Sequence, residues 1–201
     1  AGFVAVPGGI IAVNKLGLQN LRRIDRRDLL CILPSLITTG FFGWLAWRTY
    51  VIHFSKVGVS EPTWRDGPRR PAATLDELTA HWNFKYFDYE YSGSPLKAVV
   101  FRLSKPVVGG LTVGEAHFLA LSRICTHQGC VVNYVDNPEL GSIAYNYRTD
   151  HPFLGCPCHF GAYEPLQAGR AVYGPPRFPL PRLRLEEENG MLYATGYETP
   201  F

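Results

Sequence analysis

Two short stretches gather the soft metal-ligating residues of this chain: CTHQGC, beginning at Cys125, and CPCHFG, beginning at Cys156. The first offers Cys125, His127 and Cys130; the second offers Cys156, Cys158 and His159. Thiolate and imidazole donors suit zinc, copper or iron–sulfur chemistry. A structural zinc site takes four ligands, usually as C-x₂₋₄-C pairs that aim two sulfurs at one ion. Here the spacings are C-x-H and C-x-C-H, and six donors exceed four. Two structural disulfides with surface histidines would leave both loop histidines without a reason. A third division takes Cys125 with His127 and Cys156 with His159, two sulfurs and two nitrogens. Cys130 and Cys158 then remain, one on each loop, and could pair in an oxidising compartment.

The two loops resemble the C-T-H-x-G-C and C-P-C-H pattern of Rieske [2Fe–2S] proteins, most of all the membrane-anchored type of bacterial cytochrome bc₁ and b₆f complexes. That resemblance implies a Rieske-type [2Fe–2S] cluster with one iron on Cys125 and Cys156 and the other on His127 and His159. It also implies a Cys130–Cys158 disulfide that locks the loops. Charge explains the mixed ligand set. Two ferric ions, two sulfides and two thiolates sum to zero beside neutral imidazoles, whereas an all-cysteine cluster is a dianion. An electron enters the neutral centre more easily, and Rieske potentials run from about −150 to +300 mV against about −400 mV for plant-type ferredoxins. Ligand histidines close to solvent can also take a proton, so the resemblance gives His159 and His127 the catalytic roles.

A proline-rich loop covers the cluster in this family, and Gly174, Pro175 and Pro176 fit it. Tyr163 matches the tyrosine that donates to a ligand sulfur. Two positions depart from the pattern. Gly161 stands where respiratory members carry a serine that hydrogen-bonds a bridging sulfide, and Gln128 replaces a leucine of the quinone-facing tip. A missing donor leaves added negative charge less stabilised, so the sequence predicts a lower or middle Rieske potential, suited to menaquinol. Adding the hydroxyl by Gly161→Ser is expected to raise it.

The loops need a scaffold. Residues 74–201 read as one antiparallel β head, with cluster-binding loops over about 123–177 as a small subdomain. FKYFDYEY, AVVFRL and HFLALSRIC have strand character, the last running straight into Cys125. Asn189-Gly190 between apolar runs signals a type I′ hairpin. Thr74 with Glu77 signals a capping box. Upstream, Leu29–Trp47 carries no charge and would span about 28 Å as a helix, near the thickness of a bilayer core. The sequence therefore predicts a transmembrane helix over 29–54, with Trp44, Trp47 and Tyr50 at one interface. Cys31, far from the loops, reads as a small hydrophobe facing lipid or a neighbouring helix. Residues 1–28 read as a cytoplasmic N-terminal segment, because Arg22, Arg23, Arg26 and Arg27 mark the positive side. Arg26-Arg27 also resembles a twin-arginine export signal. Residues 55–73 hold Gly58, Gly67, Pro62, Pro68 and Pro71 and read as a flexible hinge linker.

The net charge of +3 and the lack of a basic stripe interleaved with aromatics exclude nucleic acid as a partner. The family implies an electron carrier in a quinol–cytochrome c (or plastocyanin-like acceptor) oxidoreductase. Its partners would be a quinol-binding cytochrome b-type subunit, a c-type cytochrome and membrane lipid, in a dimeric multi-subunit complex. Its place would be the cytoplasmic membrane, single-pass, with the head on the periplasmic side. The alternatives are the Rieske subunit of an arsenite-oxidase-like molybdoenzyme and the Rieske ferredoxin of an oxygenase system.

Overall fold

The computed structural model describes residues 26–91 and 93–199. The predicted cytoplasmic segment, apart from its last residues, lies outside them. The chain forms two units, Ala1–Thr49 and Tyr50–Phe201. The described part of the first is helix α1 (Arg26–His53) up to Thr49, and the last turn of α1 belongs to the second. The side chains of α1 from Ile32 to Tyr50 are all exposed, among them Leu36, Phe42 and Trp47 at 65–66% of their full area. Among the described residues no helix is long and apolar enough to cross a membrane. The side chains of Leu29 and Cys31, at the apolar end of the run, are outside the description.

The second unit is antiparallel β throughout. One sheet joins β1 (Trp64–Thr74), β2 (Phe84–Tyr91), β3 (Ser94–Leu103), β4 (Leu111–Val113), β5 (Ala116–Ser122), β10 (Arg182–Glu188) and β11 (Met191–Glu198). Its strand order is β1-β11-β10-β5-β3-β2, with β4 on β5. A second sheet holds β6 (Asn133–Val135), β7 (Phe153–Cys156), β8 (Gly161–Glu164) and β9 (Arg170–Tyr173) in that order. It is the small subdomain expected around the loops.

The period-2 alternation of a strand explains how the sheets meet. In β3, Ala98 and Val100 enter the core inside the larger sheet, while Val99, Phe101 and Leu103 face the other way. In β5, Phe118 and Ala120 take the first side, and Leu119 and Leu121 the second. The second set packs against Cys125, Val132, Leu154, Cys156 and Tyr163. Both central strands are therefore buried on both faces, and the loops rest on the wall between the two cores.

One predicted boundary is corrected. The linker does not reach residue 73, because Trp64–Thr74 is a strand paired with β11. Pro68 and Pro71 suggested irregular chain, yet β1 is an edge strand with register shifts between Asp66 and Arg70 and between Pro71 and Ala73. Proline is tolerated at such places because no ladder N–H is needed there. Gly67 is a packing glycine rather than a hinge: a Cβ on it would lie 2.2 Å from the Tyr89 hydroxyl. The stretch outside helix and strand shrinks to about Ser55–Thr63, where a Cβ on Gly58 would meet nothing within 4 Å.

The local signals behave as the sequence predicts. Thr74 and Glu77 form the reciprocal capping box on Leu75–Leu78. Asn189 and Gly190 both take positive φ, 52° and 79°, as a type I′ turn requires. A second helix, α2 (Pro138–Tyr145), lies between the two loops and was not predicted. Asn137 caps it by accepting from the Leu140 N–H at 3.0 Å, and Pro138 opens it. It lies tight on β7 because Gly141 meets the Phe153 ring and Gly155 meets the Tyr145 ring, with room for no side chain at either.

Candidate metal centre

Loop one leaves β5 and closes on itself. The Cys125 N–H donates to Cys130 O at 2.8 Å and the Gly129 N–H to Cys125 O at 2.9 Å, with Gly129 at φ 76°. Loop two is the tip of the β7–β8 hairpin, where Cys156 pairs with Gly161 in register. Cys130 and Cys158 are joined in a disulfide, Cα atoms 6.6 Å apart, so the two tips are tied covalently. The Sγ atoms of Cys130, Cys156 and Cys158 lie within 4.8 Å of one another. This trio is no ligand set, since two of the sulfurs are spent on each other.

Among the described side chains, Cys125 and Cys156 are the free cysteines, both buried. Above them the rings of His127 and His159 stand edge to face, centroids 4.7 Å apart. His127 is half-buried and His159 exposed. Nδ1 of His127 is buried and has no hydrogen-bond partner, an expensive state unless a ligand completes it. Burial pushes the Cys156 thiol up, against the N–H groups of Cys158 and His159 that favour its thiolate. Two such N–H groups on one sulfur suit a metal-bound thiolate. Two buried free thiols, one orphaned ring nitrogen and a second ring beside it fit a two-iron cluster with mixed ligands.

Tyr163 lies under loop one. Its hydroxyl is 3.2 Å from Cys125 Sγ and accepts from the Thr126 N–H at 3.1 Å. The Thr126 hydroxyl donates to Phe178 O at 2.8 Å, so the Tyr163 proton has two acceptors within reach, Cys125 Sγ and, at 3.1 Å, Thr126 Oγ1. Burial pushes the Tyr163 phenol up, reinforced by Cys125, so it stays a donor. Tyr163→Phe is expected to lower the midpoint potential by a few tens of mV. A neutral hydrogen bond contributes about 0.5–1.5 kcal/mol, and only its redox-dependent part counts. Potentiometric titration of the reduced signal checks this; an unmoved midpoint would refute the role.

The proline loop lies on loop two through two facing glycines. A Cβ on Gly161 would lie 2.6 Å from Pro176 Cγ, and one on Gly174 would lie 2.8 Å from Gly161 Cα. This corrects the simple expectation for Gly161→Ser: any side chain there must first push Pro176 aside. Overpacking costs about 1–3 kcal/mol, so both Gly161→Ala and Gly161→Ser are expected to bleach at lower temperature than wild type. Their difference isolates the hydroxyl, and the serine variant should have the higher midpoint of the two. Of the two prolines, Pro176 is the one that lies on the loop-two hairpin, against Gly161.

Three features escaped sequence reasoning. Phe160 holds φ 52° with its ring 55% exposed, beside His159. His151 sits in a buried network: its Nε2 is 2.9 Å from Glu164 Oε1, Tyr147 donates to Glu164 Oε2 at 2.8 Å, and Trp82 stacks on its ring. Burial opposes charge on His151, but Glu164 and Asp150 outweigh it and raise its pKa. Third, Arg182 is fully buried and paired with Glu198. The His-Phe-Gly order was the one available signal, for Phe160; the other two arise from distant segments.

Residues 83–184 match the family model for the Rieske [2Fe-2S] domain. A Haloferax mediterranei protein provisionally named a respiratory nitrate reductase Rieske subunit is 38% identical over 82 residues, 40% of this chain and 31% of that protein. The menaquinol:cytochrome c reductase iron–sulfur subunit of Bacillus subtilis is 40% identical over 76 residues, 37% of this chain and 38% of that one. This chain thus spans well under half the length of either relative. Among solved structures, the soluble domain of Rieske protein II from Sulfolobus acidocaldarius superposes with a TM-score of 0.51 at 21% identity. It covers 67% of this chain and 80% of that one, and it shows a shared fold.

Proposed function

The chain belongs to the Rieske [2Fe-2S] domain family, and from that premise we propose that it is the electron-transfer subunit of a quinol–cytochrome c oxidoreductase. It carries a Rieske-type [2Fe–2S] cluster, which supplies a one-electron acceptor. Cys125 and Cys156 would hold one iron, and His127 and His159 the other. The observation that carries the reading is the asymmetry of the two rings. His159 is exposed at the hairpin tip while His127 is half-buried, so a quinol hydroxyl in a partner's pocket would meet His159. The imidazole of His159 takes the hydroxyl proton as the electron leaves, and Tyr163, Thr126 and the proline cover keep water from the sulfurs.

The rest of the chain supports a tethered carrier. Exposed apolar side chains along α1 need a cover other than water, and lipid around residues 29–54 would supply it, with the charged flank of residues 22–27 on the cytoplasmic side. Ser55–Thr63 would then be the tether on which the head moves from a cytochrome b-type subunit to a c-type cytochrome. The resemblance to the Bacillus subtilis subunit favours menaquinol as donor, as does the serine missing at position 161. A second reading, service to a different respiratory reductase, is favoured by the Haloferax mediterranei relative.

Purification from native membranes in mild detergent separates the two. Copurification of b- and c-type cytochromes, with menaquinol-dependent reduction of the cluster, is expected. Copurification of a molybdenum subunit without a b-type cytochrome would overturn the proposal.

A further inference from the structure

The root of the linker is fastened to the loop that covers the cluster. Lys56, three residues beyond the end of α1, turns its ammonium onto main-chain carbonyls. It donates to Ile52 O at 2.7 Å, to Pro176 O at 2.8 Å, and to Gly174 O. Those three acceptors use all three donors of an ammonium, and none is a carboxylate. Beside it, the Val57 N–H donates to Arg177 O at 2.9 Å. Arg177 in turn donates from Nη2 to Ser55 Oγ at 3.3 Å and from Nε to Ser55 O at 3.4 Å. The rings of His53 and Tyr173 lie 5.7 Å apart. Residues 52–57 and 173–177 are therefore joined along their length.

The placement has a cost. Burial, and then the Arg177 guanidinium, push the Lys56 ammonium down to about 8. A lysine serving only solubility would avoid both. What it gains is geometric. Gly174 and Pro176 both lie against Gly161, and Gly161 is two positions past His159. A continuous set of contacts thus runs from the end of α1, through Lys56 and the proline loop, to the hairpin carrying Cys156 and His159.

We propose that Lys56 is a positioning residue that clamps the Gly174–Pro176 cover to the linker root, so that seating or lifting the linker closes or opens the cover over the cluster. The clamp acts through the proline loop and touches no ligand. It depends on the cluster that family membership establishes, and not on which quinol or acceptor is used. Failure of the quinol reading would leave it standing.

The test uses the holoprotein in detergent, as wild type, Lys56→Met, Lys56→Arg and Val57→Pro, with Lys85→Met, whose partner is Glu77, as a remote control. Val57→Pro removes the Arg177 contact without changing charge. Hydrogen exchange is read in peptides covering 53–59 and 172–179. Exchange in both segments is expected to speed up together, by about tenfold or more, in Lys56→Met and Val57→Pro. Water access is read as deuterium spin-echo modulation of the reduced cluster in D₂O. It should grow in the same two variants and return towards wild type in Lys56→Arg. Faster exchange in 53–59 with 172–179 and the modulation unchanged would overturn the proposal, as would no change in either segment. The exchange arm is read whether or not a variant keeps its iron.

Discussion

Cys125→Ser, His127→Ala, Cys156→Ser and His159→Ala are each expected to abolish the rhombic signal of the reduced cluster and leave the protein without stoichiometric iron. The two thiolates cancel the charge of the oxidised cluster only as a pair. Losing one leaves net positive charge in a site walled by Tyr163, Leu154 and Val132, where unpaired charge is costly. The histidines differ in exposure, but neither has a substitute within the loops. Iron assay and EPR on the purified variants check the set, and a wild-type signal in any one would remove that residue from the ligands. Cys130→Ser is the contrast. It leaves all four donors in place and cuts only the tie to Cys158, so the cluster should assemble and then bleach at lower temperature than wild type.

Arg182→Met is expected to destabilise the head by about 3–5 kcal/mol, the usual loss when one partner of a buried ion pair is removed. Arg182 and Glu198 are 1% and 4% exposed. The guanidinium meets both carboxylate oxygens, Nε to Oε2 at 2.9 Å and Nη2 to Oε1 at 2.5 Å. It also donates to Val108 O at 3.0 Å and Ser60 O at 2.8 Å. Removing it strands a buried carboxylate and frees two carbonyls, one of them in the linker. Thermal unfolding should fall by roughly 10 °C for a domain of this size. The double variant Arg182→Met, Glu198→Leu should recover much of the loss, because no charge then stays buried. Equal instability in the single and double variants would show that packing around the arginine stem, rather than the ion pair, holds this corner.

The chemistry of this protein was fixed by its sequence because a metal site of this kind is specified by donor type and short-range spacing. The proposed grouping of Cys125 with His127 and of Cys156 with His159, and the surplus cysteine on each loop, needed no knowledge of where the loops lie. Turn signals were equally local: Thr74 with Glu77 and Asn189 with Gly190 act over a few residues of backbone, so their geometry could be read in advance. What lay beyond sequence involves partners far apart in the chain. The prolines of Trp64–Thr74 read as linker until pairing with β11 made that segment an edge strand. Gly161 read only as a missing hydroxyl until Pro176 was found against it, which added a steric role to an electronic one. Nothing in the sequence marks Arg182, and only the approach of Glu198, Val108 and Ser60 buries it. Lys56 stands in the predicted linker, and only folding brings the carbonyls of Gly174 and Pro176 to it. Ligand identity follows from bonding preference, which is local. Burial, close approach and ion pairing follow from which surfaces the β-sheets press together, and long-range packing alone decides that.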